Sequence, residues 1–137
     1  MKKREEIINE CFQAWVSKDV QRFMNCFAPC ACYIESWGPA YRTLREIVRW
    51  FNDWNERNTV LQLDIGRFWH EGQTVKAAAR CTGDRISLCE WYFSCHENGV
   101  LNSFDGLSII QFNEHNKIVY IKEFLCKFPN HYPYEGQ

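Results

Sequence analysis

Glu35 stands between Tyr33 and Trp37 at alternate positions of a β-patterned run, so a strand there would bring its carboxylate out among aromatic rings on one face. A carboxylate that loses water in such surroundings has its pKa raised, which suits it to remove a proton from a carbon beside a carbonyl. Solvation, or pairing with Arg42 or Arg45, is the competing environment. Ser108 faces with Phe104, Ile110 and Phe112, and its hydroxyl is a neutral hydrogen-bond donor or acceptor. Glu90 and Tyr92 alternate with Cys89, Trp91 and Phe93; they join the site if the polar side of that strand faces inward, and Trp91 lines it otherwise. Glu123, in step with Val119 and Ile121, is expected on an outer face in a salt bridge with Lys122 or Arg80. His70 and His96 adjoin the turn pairs Glu71-Gly72 and Asn98-Gly99 and are expected at the surface. Aromatic residues make up 16% of the chain and are core material first, yet Trp15, Trp37, Trp50 and Trp54 have the bulk to wall a hydrophobic ligand.

Eight cysteines open a disulfide or metal reading. Cys11, Cys26, Cys89 and Cys95 each lie in an apolar-periodic segment beside Phe or Trp, where a free thiol acts as a small hydrophobe. Cys30-Ala31-Cys32 has no second pair at zinc spacing, so reduced thiols and no metal are expected. A thiolate site would have to draw on Cys26, His70, His96 or His131 to complete its ligands.

The elements that position these residues follow from periodicity. Ile7, Ile8, Cys11, Phe12, Trp15 and Val16 predict an amphipathic helix over residues 2 to 17. Val20, Phe23, Met24 and Phe27 predict a shorter one that Pro29 stops. Residues 31 to 37 alternate as a short strand ending at Gly38-Pro39. Thr43 to Glu46 is a capping box, with the Glu46 carboxylate expected back on the Thr43 amide, and Leu44, Ile47, Trp50, Phe51 and Trp54 form the apolar stripe of the helix it opens. Strands are expected over 60 to 70, 74 to 81, 86 to 96, 103 to 112 and 117 to 124, with Asn98-Gly99 as a hairpin signal and Asn116 able to take the left-handed conformation. The layout of residues 73 to 99 stays open between one bent strand, two strands, and a strand with a lid-like hairpin. The expected class is α+β: three N-terminal helices packed on a curved antiparallel sheet, in a single domain spanning residues 1 to 137.

A net charge of -1 gives no long-range field for nucleic acid or an anionic membrane, and no apolar run approaches the length of a membrane span. The chain is expected to be soluble and cytoplasmic. Phe128 to Tyr134 is too punctuated by proline to extend the sheet, and its aromatics are expected across the mouth of the fold or on a neighbouring subunit.

Several strings, in their order, are similar to those of a known superfamily. Ala14-Trp15 through Asp19, Phe27-Ala28-Pro29, Phe104-Asp105-Gly106 leading to Phe112, and Lys117-Ile118-Val119 with Lys122-Glu123-Phe124 resemble the nuclear transport factor two-like superfamily. This α+β cone, with a cystatin-like fold, includes SnoaL-like polyketide cyclases, ketosteroid isomerases and scytalone dehydratases. The resemblance implies a sheet wrapped round three helices, an apolar cavity at one end, and commonly a homodimer through the outer sheet face, here Leu107, Ile109, Val119 and Ile121. The ketosteroid isomerase pattern puts its general base on Glu35, its protonated Asp on Ser108 and its Tyr near Cys11 or Phe12, so both acidic donors are replaced. The His pair of scytalone dehydratases would fall to His70 and His96.

The expected function is therefore a SnoaL-like domain that binds an apolar or aromatic small molecule. If an enzyme, it would be a cofactor-free isomerase, cyclase or dehydratase with Glu35 as base and Trp15, Tyr33, Trp37, Trp54, Tyr92 and Ser108 around the substrate. The alternative is a non-catalytic binding or dimeric interaction module of the same fold.

Overall fold

Ile8, Cys11, Phe12 and Trp15 lie on one side of the first helix and are all buried, which is the amphipathic pattern converted into packing. The computed structural model describes residues 2–70 and 85–135. Helix α1 spans Lys2–Ser17 and α2 spans Val20–Met24, with the Asp19 side chain accepting from the Arg22 amide at 3.1 Å as the N-cap. Helix α2 stops short of Phe27 because the chain has already turned into the sheet: the Cys26 carbonyl accepts from the Ile118 amide at 2.8 Å. Strand β1 is therefore Phe27–Ile34, and Pro29 sits where β1 is irregular, ahead of the residues that pair with the next strand.

Beyond Ile34 the chain folds back on itself. Glu35 donates its amide to the Pro39 carbonyl at 2.9 Å, Gly38 takes φ 111°, and Ala40–Tyr41 returns as the two-residue strand β2 against Ile34 and Tyr33. Helix α3, Leu44–Arg57, opens on Thr43, whose hydroxyl accepts from the Glu46 amide at 3.2 Å. The Glu46 carboxylate reaches one residue further back than a capping box predicts, to the Arg42 amide at 2.8 Å.

Among the described residues, strands β3 (Asn58–His70), β4 (Arg85–Glu97), β5 (Val100–Phe112) and β6 (Ile118–Lys127) complete a six-stranded curved sheet in the order β2-β1-β6-β5-β4-β3. All neighbours are antiparallel except β1 and β6, which run parallel. The α+β class of three helices on a curved sheet is thus the observed one. Asn98 (φ 53°) and Gly99 (φ 79°) make the tight β4–β5 turn, and Asn116 (φ 59°) closes β5–β6, each at the residue that can adopt the left-handed region. The expected strand over 74 to 81 lies outside the described residues.

Register shifts change which way side chains point. Phe112 pairs with Ile118 while Gln111 pairs with Tyr120, so Val119 is an extra residue. It joins Ala28, Cys32 and Tyr120 in a small cluster separate from the main core, whereas Ile121 packs in that core. Ile121 is accordingly absent from the outer face on which strict alternation puts it. A second shift between Ile65 and Phe68 brings Phe68 inward, with His70 following.

The thiols are mostly the small hydrophobes expected: Cys11, Cys26, Cys32, Cys89 and Cys95 are buried and outside any disulfide, as is the exposed Cys126. Cys30 departs from the expectation of reduced thiols, for it is disulfide-bonded. Among the described residues no helix is long and apolar enough to cross a membrane.

Candidate functional site

The helices do not fill the concave side of the sheet. Between α1, α3, the β1–β2 turn and the inner faces of β4 and β6 lies a pocket of about 330 Å³. Five of the chain's six tryptophans line it: Trp15, Trp37, Trp50, Trp54 and Trp91. Trp15 meets Trp50 at 5.0 Å and Trp54 at 5.6 Å between ring centroids, both edge to face, and Tyr41 stacks on Trp50 at 4.7 Å. The apolar stripe of α3 thus serves two purposes, with Ile47 and Phe51 buried in the core and Trp50 and Trp54 facing the space.

Three carboxylates, Glu35, Glu97 and Glu123, reach the same pocket. Because β1 and β6 lie side by side, Glu123 accepts the Tyr33 hydroxyl at 2.6 Å. Burial pushes the Glu123 carboxyl up to about 7; the Tyr33 hydrogen bond pulls the other way and the charge of Glu35 adds to the rise. Burial and the neighbouring Glu123 charge hold the Tyr33 hydroxyl well above its ordinary value, so it remains a donor at any working pH. The hairpin turn at Gly38 sets up a second tyrosine–carboxylate pair, in which Tyr41 donates to Glu35 at 2.8 Å. Burial raises the Glu35 carboxyl, the Tyr41 bond opposes that rise and the charge of Glu97 supports it. Near neutral pH Glu123 can therefore give or take a proton.

Of the residues singled out by sequence, Glu35, Trp15, Tyr33, Trp37 and Trp54 come together around this space, with Trp37 at the rim and 63% exposed. Glu35 lies just beyond the end of β1, in the turn, rather than on the strand. Tyr92 does not join them. Trp91, Phe93, Cys95 and Glu97 take the inward positions of β4, which leaves Tyr92 on the opposite face against Phe128 at 4.9 Å. Phe128 therefore packs on the outside of the sheet and not across the mouth. Glu90 is likewise outside, paired with Arg67 at 3.1 Å.

Ser108 does point inward, but Trp91 covers it. The indole lies over Gly106, where any Cβ would collide with it, and its Nε1 donates to Ser108 Oγ at 3.0 Å. Ser108 is fully buried and its hydroxyl supports the wall instead of forming it.

Glu123, expected on the outer face, was turned inward by the Val119 bulge, a feature with no signature in the alternation of the strand. Glu97, Tyr41, Arg57 and Phe93 also line the pocket without having been signalled. His70 is not a surface residue: its ring bridges Ser87 Oγ and Glu5 Oε2 at 2.7 Å each, between α1 and the sheet and away from the pocket. His96 is exposed. Among the described residues no group of three His, Cys, Asp or Glu side chains is placed to hold a metal ion.

Comparison with known proteins fits this architecture. The model of the SnoaL-like domain family matches residues 8–121. No curated protein matches the chain in sequence. Among solved structures, an LEH-like epoxide hydrolase from M. tuberculosis superposes with a TM-score of 0.74 at 10% identity, over 91% of this chain and 84% of that one. A protein described as a SnoaL-like polyketide cyclase, from Shewanella denitrificans, gives 0.65 at 11% identity over 90% of each chain. A protein of unknown function with a cystatin-like fold, from Methylobium petroleophilum, gives 0.68 at 15% identity over 99% of this chain and 82% of that one. At such identities the likeness is one of fold.

Proposed function

The chain belongs to the SnoaL-like domain family, and from that premise we propose that it encloses a small molecule with an apolar or aromatic body and moves a proton on it without a cofactor. The observation that carries this reading is the pair of tyrosine-bonded carboxylates, Glu123 with Tyr33 and Glu35 with Tyr41, on the wall of one aromatic pocket. A carboxyl that titrates at about 7 matches the pH at which it would work, since a general base is most effective when its pKa lies near that pH. Glu123 removes or returns the carbon-bound proton in this scheme. In that step the negative charge passes from the Glu123 carboxylate to the enolate oxygen, and Glu35, whose carboxyl is also raised by burial, relays the second proton.

We give the role of base, expected of Glu35 from the sequence, to Glu123, because burial pushes its carboxyl up to about 7. The test is α-proton exchange in deuterium oxide on a panel of enolisable aryl ketones beginning with phenylacetone, followed by NMR. The wild-type protein should accelerate exchange at neutral pH, and Glu123→Gln, which keeps the shape and removes the base, should lower the rate by about a hundredfold or more. Glu35→Gln should lower it less. An exchange rate unchanged in Glu123→Gln would sink the assignment and leave a non-catalytic binding domain.

A further inference from the structure

On the reading above that the pocket takes a small molecule, we propose that its ligand carries a positively charged organic ammonium group. Two features of the wall, independent of each other, set that charge.

The first is the balance of charged groups. Glu35, Glu97 and Glu123 face one guanidinium, that of Arg57, which is exposed and donates to the Asp53 carbonyl at 3.4 Å. Among the described residues none of the three carboxylates forms an ion pair. Their hydrogen-bond partners are neutral donors: Tyr41 to Glu35, Tyr33 to Glu123, and Asn102 to Glu97 at 3.3 Å. Neutral donors satisfy oxygen lone pairs without cancelling charge, so the described wall carries a negative potential wherever its carboxylates are ionised.

The second is the aromatic surround. Trp15, Trp50, Trp54 and Tyr41 approach one another at steep as well as stacked angles, from 13° between Tyr41 and Trp50 to 89° between Trp15 and Trp54. All four residues line the same volume, and a ring face is the negative side of its quadrupole. Rings and carboxylates in the same wall are matched to a cation whose surface is itself apolar, as a methylated ammonium is. A bare metal ion asks instead for clustered oxygen, nitrogen or sulfur ligands, which the described residues do not assemble here. A volume of about 330 Å³ admits such a group together with a modest hydrocarbon or aromatic body. Glu123 gains from the same arrangement, because a cation beside it eases the loss of its proton.

Choline and 3,3-dimethyl-1-butanol have the same shape and differ by a nitrogen charge, so they isolate the effect. Their affinities for the purified protein at pH 7.5 are compared by isothermal titration calorimetry, with quenching of tryptophan fluorescence as a second readout. Choline should bind about tenfold or more tightly than the alcohol. Glu35→Gln and Glu97→Gln should each reduce that preference several-fold while leaving the affinity for the alcohol unchanged. Equal affinities, a preference for the alcohol, or no binding of choline at tens of millimolar would each overturn the ammonium site. The two proposals fail separately: equal affinities leave ketone exchange in place, and loss of exchange leaves the choline preference in place.

Discussion

Glu123 is a carboxyl whose neighbours disagree about its charge. Burial and Glu35 favour the protonated form and Tyr33 the ionised one, and burial wins, at about 7. This has a consequence for stability. The unfolded chain gives up the proton near the ordinary value of 4.5 and the folded chain keeps it to about 7, so the native state binds more protons between those limits. The stability linked to this group is fully present below about 4.5 and is lost as the pH rises through 7, by up to about 3 kcal/mol. Glu35, also raised, acts in the same direction. Urea denaturation midpoints should therefore fall between pH 5 and pH 8 in the wild type and fall much less in Glu123→Gln. Parallel profiles for the two proteins would show that Glu123 is not the group held up by burial. The cost is consistent with a group retained for its chemistry, since a neutral glutamine would satisfy Tyr33 without it.

At the scale of elements, the site depends on departures from regular strands. The bulge at Val119 turns Glu123 inward, the turn at Gly38 delivers Tyr41 to Glu35, and the missing side chain at Gly106 lets Trp91 lie flat over β5. The third of these is open to a direct test. In Gly106→Ala the new methyl group meets the Trp91 indole, which is fixed at its other side by the bond to Ser108, so the ring must leave its place. A loss of about 1–3 kcal/mol is expected from overpacking of this kind. Chemical denaturation should register it, together with a shift in tryptophan emission as Trp91 moves. Unchanged stability and emission would mean that the wall of the pocket yields easily.

At the scale of the whole molecule, core and pocket share their aromatic residues. Phe51 is buried behind Trp15, at 4.5 Å, and stacked on Phe23 at 4.3 Å, so one layer of rings supports the pocket from behind. Phe51→Ala should cost about 3–5 kcal/mol, the range for removing a buried ring that its neighbours cannot fully replace. Trp37→Ala, at the exposed rim, should leave stability within about 0.5 kcal/mol and change ligand affinity alone. Thermal and chemical unfolding of the two variants separates support from contact, and equal losses would contradict the division.

Local pattern was enough for the α+β order, the amphipathic faces of α1 and α3, the Thr43 cap, the Asn98-Gly99 turn and the inward set of β5. Each of these is a local matter of helical or strand period, or of a residue able to take positive φ, and needs no knowledge of distant partners. It also brought Glu35, Tyr33, Trp15, Trp37 and Trp54 forward as candidates. Which carboxylate is held near neutrality is a tertiary matter, because Glu123 meets the Tyr33 hydroxyl and the Glu35 charge, both distant from it in the chain. The tertiary structure alone decided the faces of Glu123, Ile121 and His70, because one extra residue in a strand reverses every side chain after it and leaves the composition of the strand unaltered. The fate of Ser108 was settled in the same way: its direction is local, but the indole that covers it comes from the neighbouring strand.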